Sequence, residues 1–427
     1  MTGRRHTSIK RTFSALSALS AVVTGSALIA GCGLIPGATG GSGDRTVTVM
    51  TWAPEKTDAT NMPGMPAMAR AYARWINAHG GIGGRTLRVL TCNDHNDSVG
   101  AAKCARSAAD QGAVAVVGSY SQHGRAFLSP LESAGIPYIG GYGATDSEFT
   151  SPLSYPVNGG QAALLAGNGR QLADHCSRTV LVRPDTIAGD ELVPLLDAGL
   201  AARSRAGVTD LRAAEDATDY AGKAQEALGT ATTAGTADAG CVAAVLGDRT
   251  NTFFDSFRRL REDYPAVRTA TVLGSIDQST INRTGGAASP YEGAYVTGWY
   301  PAADDARWGR MKKAITETAF DDNRIDPADA GVQTTWIAYE VLRQVVASLG
   351  DGEVTARRVS SALDDGLEVT TGGLTPPLRW GYDHMSDAGD FPRLVNARVT
   401  FQRVERGRLV ATRKTAVDMT ETLAKAS

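Results

Sequence analysis

Along most of the chain, two patterns of hydrophobic and polar positions follow one another in turn, one typical of strands and one typical of helices. Short apolar runs rich in Val, Ile and Leu predict buried strands, and longer segments with helical spacing follow them. The first predicted strands are 46–51, 86–90, 114–117 and 136–139, and the helices between them are 68–78, 99–111 and 126–134. Alternation of this kind predicts a parallel, doubly wound α/β sheet.

The alternation pauses at residues 151–160, a segment with prolines and glycines, and then resumes. The second series predicts helices at 161–175, 191–202, 220–228 and 252–262, and strands at 179–182, 242–246 and 269–273. The last third predicts a crossing strand at 295–299, a long helix at 333–349 and a hairpin of 395–404 with 409–413. One architecture repeated across a break predicts two similar lobes.

Composition and charge exclude one class of partner. The 427 residues carry a formal net charge of -2, from 43 basic and 45 acidic side chains. This length allows two domains. The near-neutral balance lacks the basic footprint of a nucleic-acid-binding protein, so we expect no nucleic-acid partner.

The first residues have the layout of an export signal. Basic residues between positions 4 and 11 precede an apolar run at 13–30, which serines and threonines dilute too strongly for a membrane span. The run ends at Ile29-Ala30-Gly31-Cys32, which resembles the lipobox of bacterial lipoproteins. This resemblance implies a signal peptide at 1–31, lipidation of Cys32, a flexible tether at 32–44 and a position on the outer face of the cell membrane. Ordinary cleavage with Cys32 left as a free thiol is the alternative, and the export route, Sec or Tat, stays open.

The remaining cysteines are Cys92, Cys104, Cys176 and Cys241. An even number in an exported protein favours two disulfides. Cys92 ends a predicted strand and Cys104 lies in the next helix, so we expect these two to pair. Cys176 and Cys241 each precede a predicted strand and would flank neighbouring strands. A zinc site is the competing interpretation, but no C-x-x-C spacing supports it, so we expect neither a metal nor a cofactor.

Several motifs, in the right order along the chain, resemble type I solute-binding proteins of the Leu/Ile/Val-binding group, which serve ABC transporters. They are the turn at 78–87 (AHGGIGGRTL), Cys92-Asn93-Asp94, and the segments 116–121, 134–137, 143–146 and 378–387. The resemblance implies two Rossmann-like lobes, parallel sheets flanked by helices, joined by three crossover segments. It also implies an interrupted order: lobe one at 45–154 and 298–375, lobe two at 155–297 and 376–427, the last including a C-terminal tail.

The stretch VVGSYSQHGR places Tyr120, Ser121 and Gln122 directly after a predicted strand. Ligands of open parallel sheets lie beyond the carboxyl ends of strands. The resemblance implies that Ser121 and Gln122 hold the carboxylate of an amino-acid ligand. It also implies that Gly143, Ala144 and Thr145 bind the same carboxylate and the ammonium group of the ligand.

In the second lobe, the topology turns Asp248 and Arg249 toward the cleft, and the resemblance implies that Asp277 pairs with the ammonium. The family's aromatic stacking position falls near Asn61, which is not aromatic. Trp52, Tyr120 and Tyr142 could supply an aromatic wall instead.

A catalytic interpretation competes at the same stretch, because a strand, a serine and a helix also build the nucleophile elbow of hydrolases. The G-x-S-x-G spacing is not met, since Ser119 stands two positions before Ser121, and His384 is the one late histidine that could serve as base. We therefore predict that the chain is not an enzyme.

We predict an extracytoplasmic lipoprotein that captures a small amino-acid-like solute and delivers it to an ABC permease. A ligand-sensing subunit of a membrane receptor kinase is the alternative, and a secreted hydrolase is a less favoured one.

Overall fold

In the computed structural model, which describes residues 45–58, 60–232, 240–386 and 388–426 apart from the side chain of Ile187, the strands form two separate sheets. Over these residues the first sheet has five parallel strands in the order β2-β1-β3-β4-β5. They are β1 (Thr46–Trp52), β2 (Thr86–Cys92), β3 (Val116–Val117), β4 (Tyr138–Ile139) and β5 (Ser154–Tyr155).

The second sheet is larger and mixed. Its order is β12-β11-β10-β9-β8-β6-β7, and β13 also pairs with β11. Its strands are β6 (Arg178–Pro184), β7 (Thr209–Ala213), β8 (Gly240–Ala244), β9 (Arg268–Val272), β10 (Tyr295–Gly298), β11 (Arg398–Glu405), β12 (Arg408–Ala411) and β13 (Val417–Asp418). Neighbours from β6 to β10 are parallel, whereas β11 is antiparallel to β10, β12 and β13.

Helices connect most of these strands. They are α1 (Gly64–Ala78), α2 (Ser98–Asp110), α3 (Gly124–Ala134), α4 (Ser147–Thr150), α5 (Gly160–Ala173), α6 (Ile187–Asp190), α7 (Leu192–Ala201), α8 (Ala221–Ala231), α9 (Thr250–Leu260), α10 (Gln278–Arg283), α11 (Gly309–Thr318), α12 (Ala330–Ser348), α13 (Ala356–Asp364) and α14 (Thr420–Leu423). Aspartates cap several of them. The Gly100 N–H donates to Asp97 at 2.7 Å, and the Val332 N–H donates to Asp329 at 2.8 Å, which satisfies N–H groups that a helix start leaves unpaired.

Each sheet is covered by helices, and this defines two lobes. Lobe 1 is the first sheet with α1–α4 and α11–α13, and lobe 2 is the second sheet with α5–α10 and α14. In lobe 1, Tyr72 packs against Trp336 with ring centroids 5.2 Å apart, while Trp52 packs against Phe127 on the other face of the sheet at 5.4 Å. Packing on both faces holds the loops at the strand ends in fixed positions.

Within the described residues the chain crosses between the lobes three times: after β5, after β10 and after α13. The crossings are bonded to one another. The Asn158 side-chain N–H donates to the Tyr300 hydroxyl at 2.8 Å, and the Trp380 indole N–H donates to the Pro156 carbonyl at 3.0 Å. Crossings bundled in this way form a hinge about which lobes can open and close.

The predicted fold class is confirmed, including the antiparallel hairpin near the end of the chain. The hydrophobic pattern misses three strands, of which β13 is a two-residue strand that pairs with β11. Strand β7, with the sequence TDLRA, alternates between exposed and buried residues at the sheet edge and contains no apolar run. Strand β5 has two residues and lies inside the segment predicted as a break.

Both predicted disulfides are confirmed, one in each lobe. Cys92–Cys104 joins the end of β2 to α2 and has a sequence separation of 12 residues. Cys176–Cys241 joins the segment before β6 to β8 and has a separation of 65 residues. The predicted signal peptide, the tether and Cys32 lie outside the described residues. Among the helices that are described, none combines the length and apolar character needed to span a bilayer.

Candidate functional site

Loops that follow the strand ends of both lobes meet in a cleft, which contains a cavity of about 70 Å³. Its lining includes Thr60, Met62, Tyr120, Gln122, Tyr142 and Ala144 from lobe 1, and Pro184, Glu215 and residues 245–247 and 272–275 from lobe 2. We call it the central cavity. Because open parallel sheets bind ligands beyond the carboxyl ends of their strands, it is the candidate solute site. Its volume is about half of the roughly 150 Å³ of a cavity that holds benzene, so a solute with a ring or a branched chain needs the lobes to lie further apart than they do here.

The lobes contact each other at the rim of the central cavity. The Asn61 backbone N–H donates to Asp248 Oδ2 at 3.1 Å, and Arg249 Nη2 donates to the Asp58 carbonyl at 2.9 Å. Asp248 and Arg249 are predicted ligand contacts, but neither lines the central cavity. We call these two residues the latch, because both bond to the opposite lobe.

Three predicted ligand residues, Tyr120, Gln122 and Ala144, are brought together on the lobe 1 side. Gln122 Nε2 donates to the Tyr120 hydroxyl at 3.1 Å and to Thr60 Oγ1 at 3.2 Å. The Tyr120 ring meets Tyr142 edge to face at 5.0 Å. Burial raises the pKa of Tyr120, so its hydroxyl stays protonated at neutral pH.

The aromatic wall consists of two of the three predicted rings. Trp52 is fully buried in the core of lobe 1 and does not line the central cavity. Tyr142 does line it, and its hydroxyl lies against Gly274 of lobe 2, where a Cβ atom would clash with the phenol oxygen. This glycine therefore lets the two lobes approach.

Ser121, the serine of the catalytic interpretation, is buried inside lobe 1 and does not line the central cavity. Its Oγ accepts the His123 N–H at 3.2 Å and also bonds with the carboxylate of Asp94. Burial raises the pKa of Asp94, and this hydrogen bond opposes the shift. Because a nucleophile must reach its substrate, a hydroxyl enclosed in this way gives no support to the hydrolase alternative.

Asp277 and Thr145 lie beside the central cavity rather than in its lining. Asp277 caps α10 by accepting the Thr280 N–H at 2.6 Å, and with Asp248 and Asp329 it lines a neighbouring space of about 510 Å³. We call this space the acidic cavity. Thr145 lines an outer groove of about 610 Å³. The pairing of Asp277 with a ligand ammonium stays a prediction.

The N–H groups that the resemblance assigns to a ligand carboxylate are bonded to a carboxylate of the protein itself. Gly143 donates to Glu148 Oε2 at 3.0 Å, and Ala144 and Thr145 donate to Glu148 Oε1 at 2.8 and 3.2 Å. The Tyr138 hydroxyl bonds to the same carboxylate. Glu148 is 2% exposed, and burial raises its pKa to about 7 although these hydrogen bonds lower it.

The sequence analysis misses three carboxylates at or beside the site: Glu148, Asp329 and Glu215. Thr145-Asp146-Ser147-Glu148 fits the S/T-x-x-E capping box, in which the glutamate reaches back to the first N–H, so a signal for Glu148 exists. Asp329 precedes α12 as an N-cap, and burial raises its pKa to about 7. In the part of the chain that the structure describes, no three His, Cys, Asp or Glu side chains are grouped so as to hold a metal ion.

A family model described as periplasmic binding protein matches residues 57–388. The chain belongs to this family. Periplasmic binding proteins of this fold bind solutes and are not an enzyme family, which agrees with the prediction made from the motifs. No curated protein sequence matches the chain.

Solved structures of low identity share the fold. A substrate-binding periplasmic protein from Ralstonia solanacearum is 16% identical with a TM-score of 0.68, over 86% of this chain and 99% of the other. An extracellular ligand-binding receptor from Verminephrobacter eiseniae is 14% identical with a TM-score of 0.69, over 86% and 99%. An ABC transporter solute-binding protein from R. palustris, in complex with benzoate, is 15% identical with a TM-score of 0.68, over 87% and 98%.

Proposed function

We propose that this binding protein captures a small solute, amino-acid-like in its size and in its amine group, and delivers it to the permease of an ABC transporter. The observation that carries the proposal is the central cavity, which loops from both lobes line at their strand ends. A solute held there would favour the closed arrangement of the lobes by its contacts to both. The closed form would then be the one that a permease recognises.

The lining offers both ring faces and hydrogen-bonding groups. Tyr120 and Tyr142 supply hydroxyls and aromatic surface, Gln122 supplies an amide, and Glu215 supplies a carboxylate that suits an ammonium group. The R. palustris protein of similar fold is in complex with benzoate, which supports a small organic solute as the class of ligand.

The proposal includes the predicted membrane attachment. Lipidation of Cys32 would hold the protein on the outer face of the membrane, and the glycine-rich residues 33–43 would link this anchor to the binding lobes. Replacing Cys32 with serine should release the protein from the membrane fraction of the producing cells. Retention of the serine variant would contradict the lipid anchor and leave solute binding untouched.

Solute binding is tested by mass spectrometry of small molecules released from the purified protein, followed by thermal unfolding against amino acids, amides, amines and aromatic acids. A true ligand at 100 times its Kd should stabilise the protein by about 2.7 kcal/mol. Gln122→Leu should weaken this effect, whereas Glu132→Gln, an exposed change on α3, should not. Failure of every solute class to raise the unfolding temperature would contradict the proposal.

A further inference from the structure

We infer that Glu148 occupies the position of a ligand carboxylate, so that the cleft selects amines, and after them neutral amides, over carboxylates of the same shape. The inference rests on the proposed solute-binding function and names the charge class of the solute. It makes Glu148 a specificity-determining residue that never contacts the ligand.

The first argument is the geometry of the loop between β4 and α4. Both carboxylate oxygens of Glu148 are used, and three consecutive N–H groups, those of residues 143–145, converge on them at 2.8 to 3.2 Å. Gly141 leaves room for this arrangement, because a Cβ atom there would clash with Glu148 Oε2. The N–H groups that could hold an anion are therefore turned to the inside of lobe 1.

The second argument is the balance of charge around the central cavity. Of the described residues that line it, none is Lys, Arg or His, and Glu215 is the one with a charged side chain. Arg249, at the rim, donates to the Asp58 carbonyl. The adjoining acidic cavity is lined by Asp248, Asp277 and Asp329 against Arg283. A carboxylate entering the central cavity meets the carboxylate of Glu215 and finds no cationic side chain among the described residues that line it. Arg283 shares the acidic cavity with three aspartates.

The third argument is what an amine would find there. Glu215 offers an ion-pair partner, and Tyr120 and Tyr142 add aromatic side chains to the lining, a residue type that attracts cations. A neutral amide would find the same hydrogen-bonding groups without the ionic contribution. The order of affinity expected for one carbon skeleton is therefore amine, amide, carboxylate.

Two matched sets test this order on the wild-type protein by isothermal titration calorimetry. One set is 3-methylbutylamine, 3-methylbutanamide and 3-methylbutanoate, and the other is benzylamine, benzamide and benzoate. We expect the amine of at least one set to bind about tenfold or more tighter than its carboxylate. A carboxylate that binds as tightly as its amine overturns the inference, while its binding still supports the proposed function. Binding by none of these probes and by no other solute overturns the proposed function and, with it, this inference.

Variants of Glu148 test the cause of the selectivity. Glu148→Ala frees the three N–H groups, so benzoate affinity should rise about tenfold while benzylamine affinity changes less than about threefold. Glu148→Gln removes the charge but keeps the position filled, so it should raise benzoate affinity less than Glu148→Ala does. Glu132→Gln, which removes a charge from the exposed face of the same lobe, should change neither affinity.

Unchanged benzoate affinity in a folded Glu148→Ala variant overturns the role given to Glu148. A crystal structure of that variant with benzoate should place the benzoate carboxylate against the N–H groups of residues 143–145, and a benzoate bound elsewhere counts against the inference. If Glu148→Ala does not fold, Glu148→Gln and the wild-type order of affinities decide the matter, because both require only the native fold.

Discussion

Lobe 1 and lobe 2 present different kinds of polar group to the cleft. In lobe 1 the N–H groups of residues 143–145 and the Ser121 hydroxyl bond internally, to Glu148 and Asp94. What remains on that side are two tyrosine rings, the Gln122 amide and the Thr60 hydroxyl. In lobe 2 the carboxylate of Glu215 lines the central cavity. Loops in equivalent positions of a two-lobe fold can thus differ in whether their polar groups serve a ligand or the protein itself.

The largest expected effects on stability come from removing the disulfide of each lobe. Replacing Cys176 and Cys241 with serine should lower the free energy of unfolding by about 4 kcal/mol, and replacing Cys92 and Cys104 by about 3 kcal/mol. The reason is loop length, since the separations are 65 and 12 residues. Urea unfolding of both double variants measures this, and a larger loss from the shorter loop would contradict the entropic explanation.

Glutamates of the two lobes should differ in what they stabilise. Glu148→Ala should lower the free energy of unfolding by about 3 kcal/mol, because one buried and two partly buried N–H groups lose their acceptor. Glu215→Ala should change it by less than about 0.5 kcal/mol, yet weaken amine binding about tenfold. Denaturant unfolding and calorimetry of the two variants give the comparison. Similar losses of stability in both would remove the contrast between the lobes.

The pH dependence of the free energy of unfolding tests the Glu148 carboxyl group separately. The pKa of Glu148 is about 7 in the folded protein against an ordinary 4.5, so the folded state holds a proton that the unfolded chain has released. The stability that protonated Glu148 contributes to the folded state is therefore fully present below pH 4.5 and is lost as the pH rises through 7. The total loss in the free energy of unfolding is about 3 kcal/mol.

The amide side chain that Glu148→Gln introduces does not titrate. Between pH 5 and 7 the free energy of unfolding of the wild type should therefore fall more steeply than that of the variant, and the two slopes should differ by about 1 kcal/mol per pH unit. Asp329, whose pKa burial also raises to about 7, is present in both proteins and cancels in the difference. Unfolding in urea at pH 5, 6, 7 and 8 measures both slopes. Parallel slopes would show that Glu148 is charged throughout this range.

The smallest expected effect concerns the latch. Asp248→Ala removes the acceptor of the Asn61 N–H across the cleft, so solute affinity should fall about fivefold while the free energy of unfolding stays within about 0.5 kcal/mol. Asp255→Ala is the control, since Asp255 is an exposed residue on α9 that pairs with Arg258 at 3.9 Å. Equal affinities of the two variants would mean that the latch does not stabilise the closed lobes.

Much of the fold was predictable because its signals are local. Apolar runs such as 179–182 and 242–246 mark strands buried on both faces, and the helices between them complete a doubly wound pattern. Strand β7 escaped because an edge strand needs no continuous apolar run. The candidate site was predictable only as a set of loops, since Tyr120 and Gln122 reach the central cavity while Ser121, between them, is buried.

The sequence by itself determined the two-lobe architecture, the cysteine pairs and the loops that border the cleft, because hydrophobic period and position at a strand end are properties of neighbouring residues. Only the tertiary structure decided which partner the N–H groups of residues 143–145 take. The partner is the Glu148 carboxylate, which lies three to five residues further along the chain and is buried beside Tyr138.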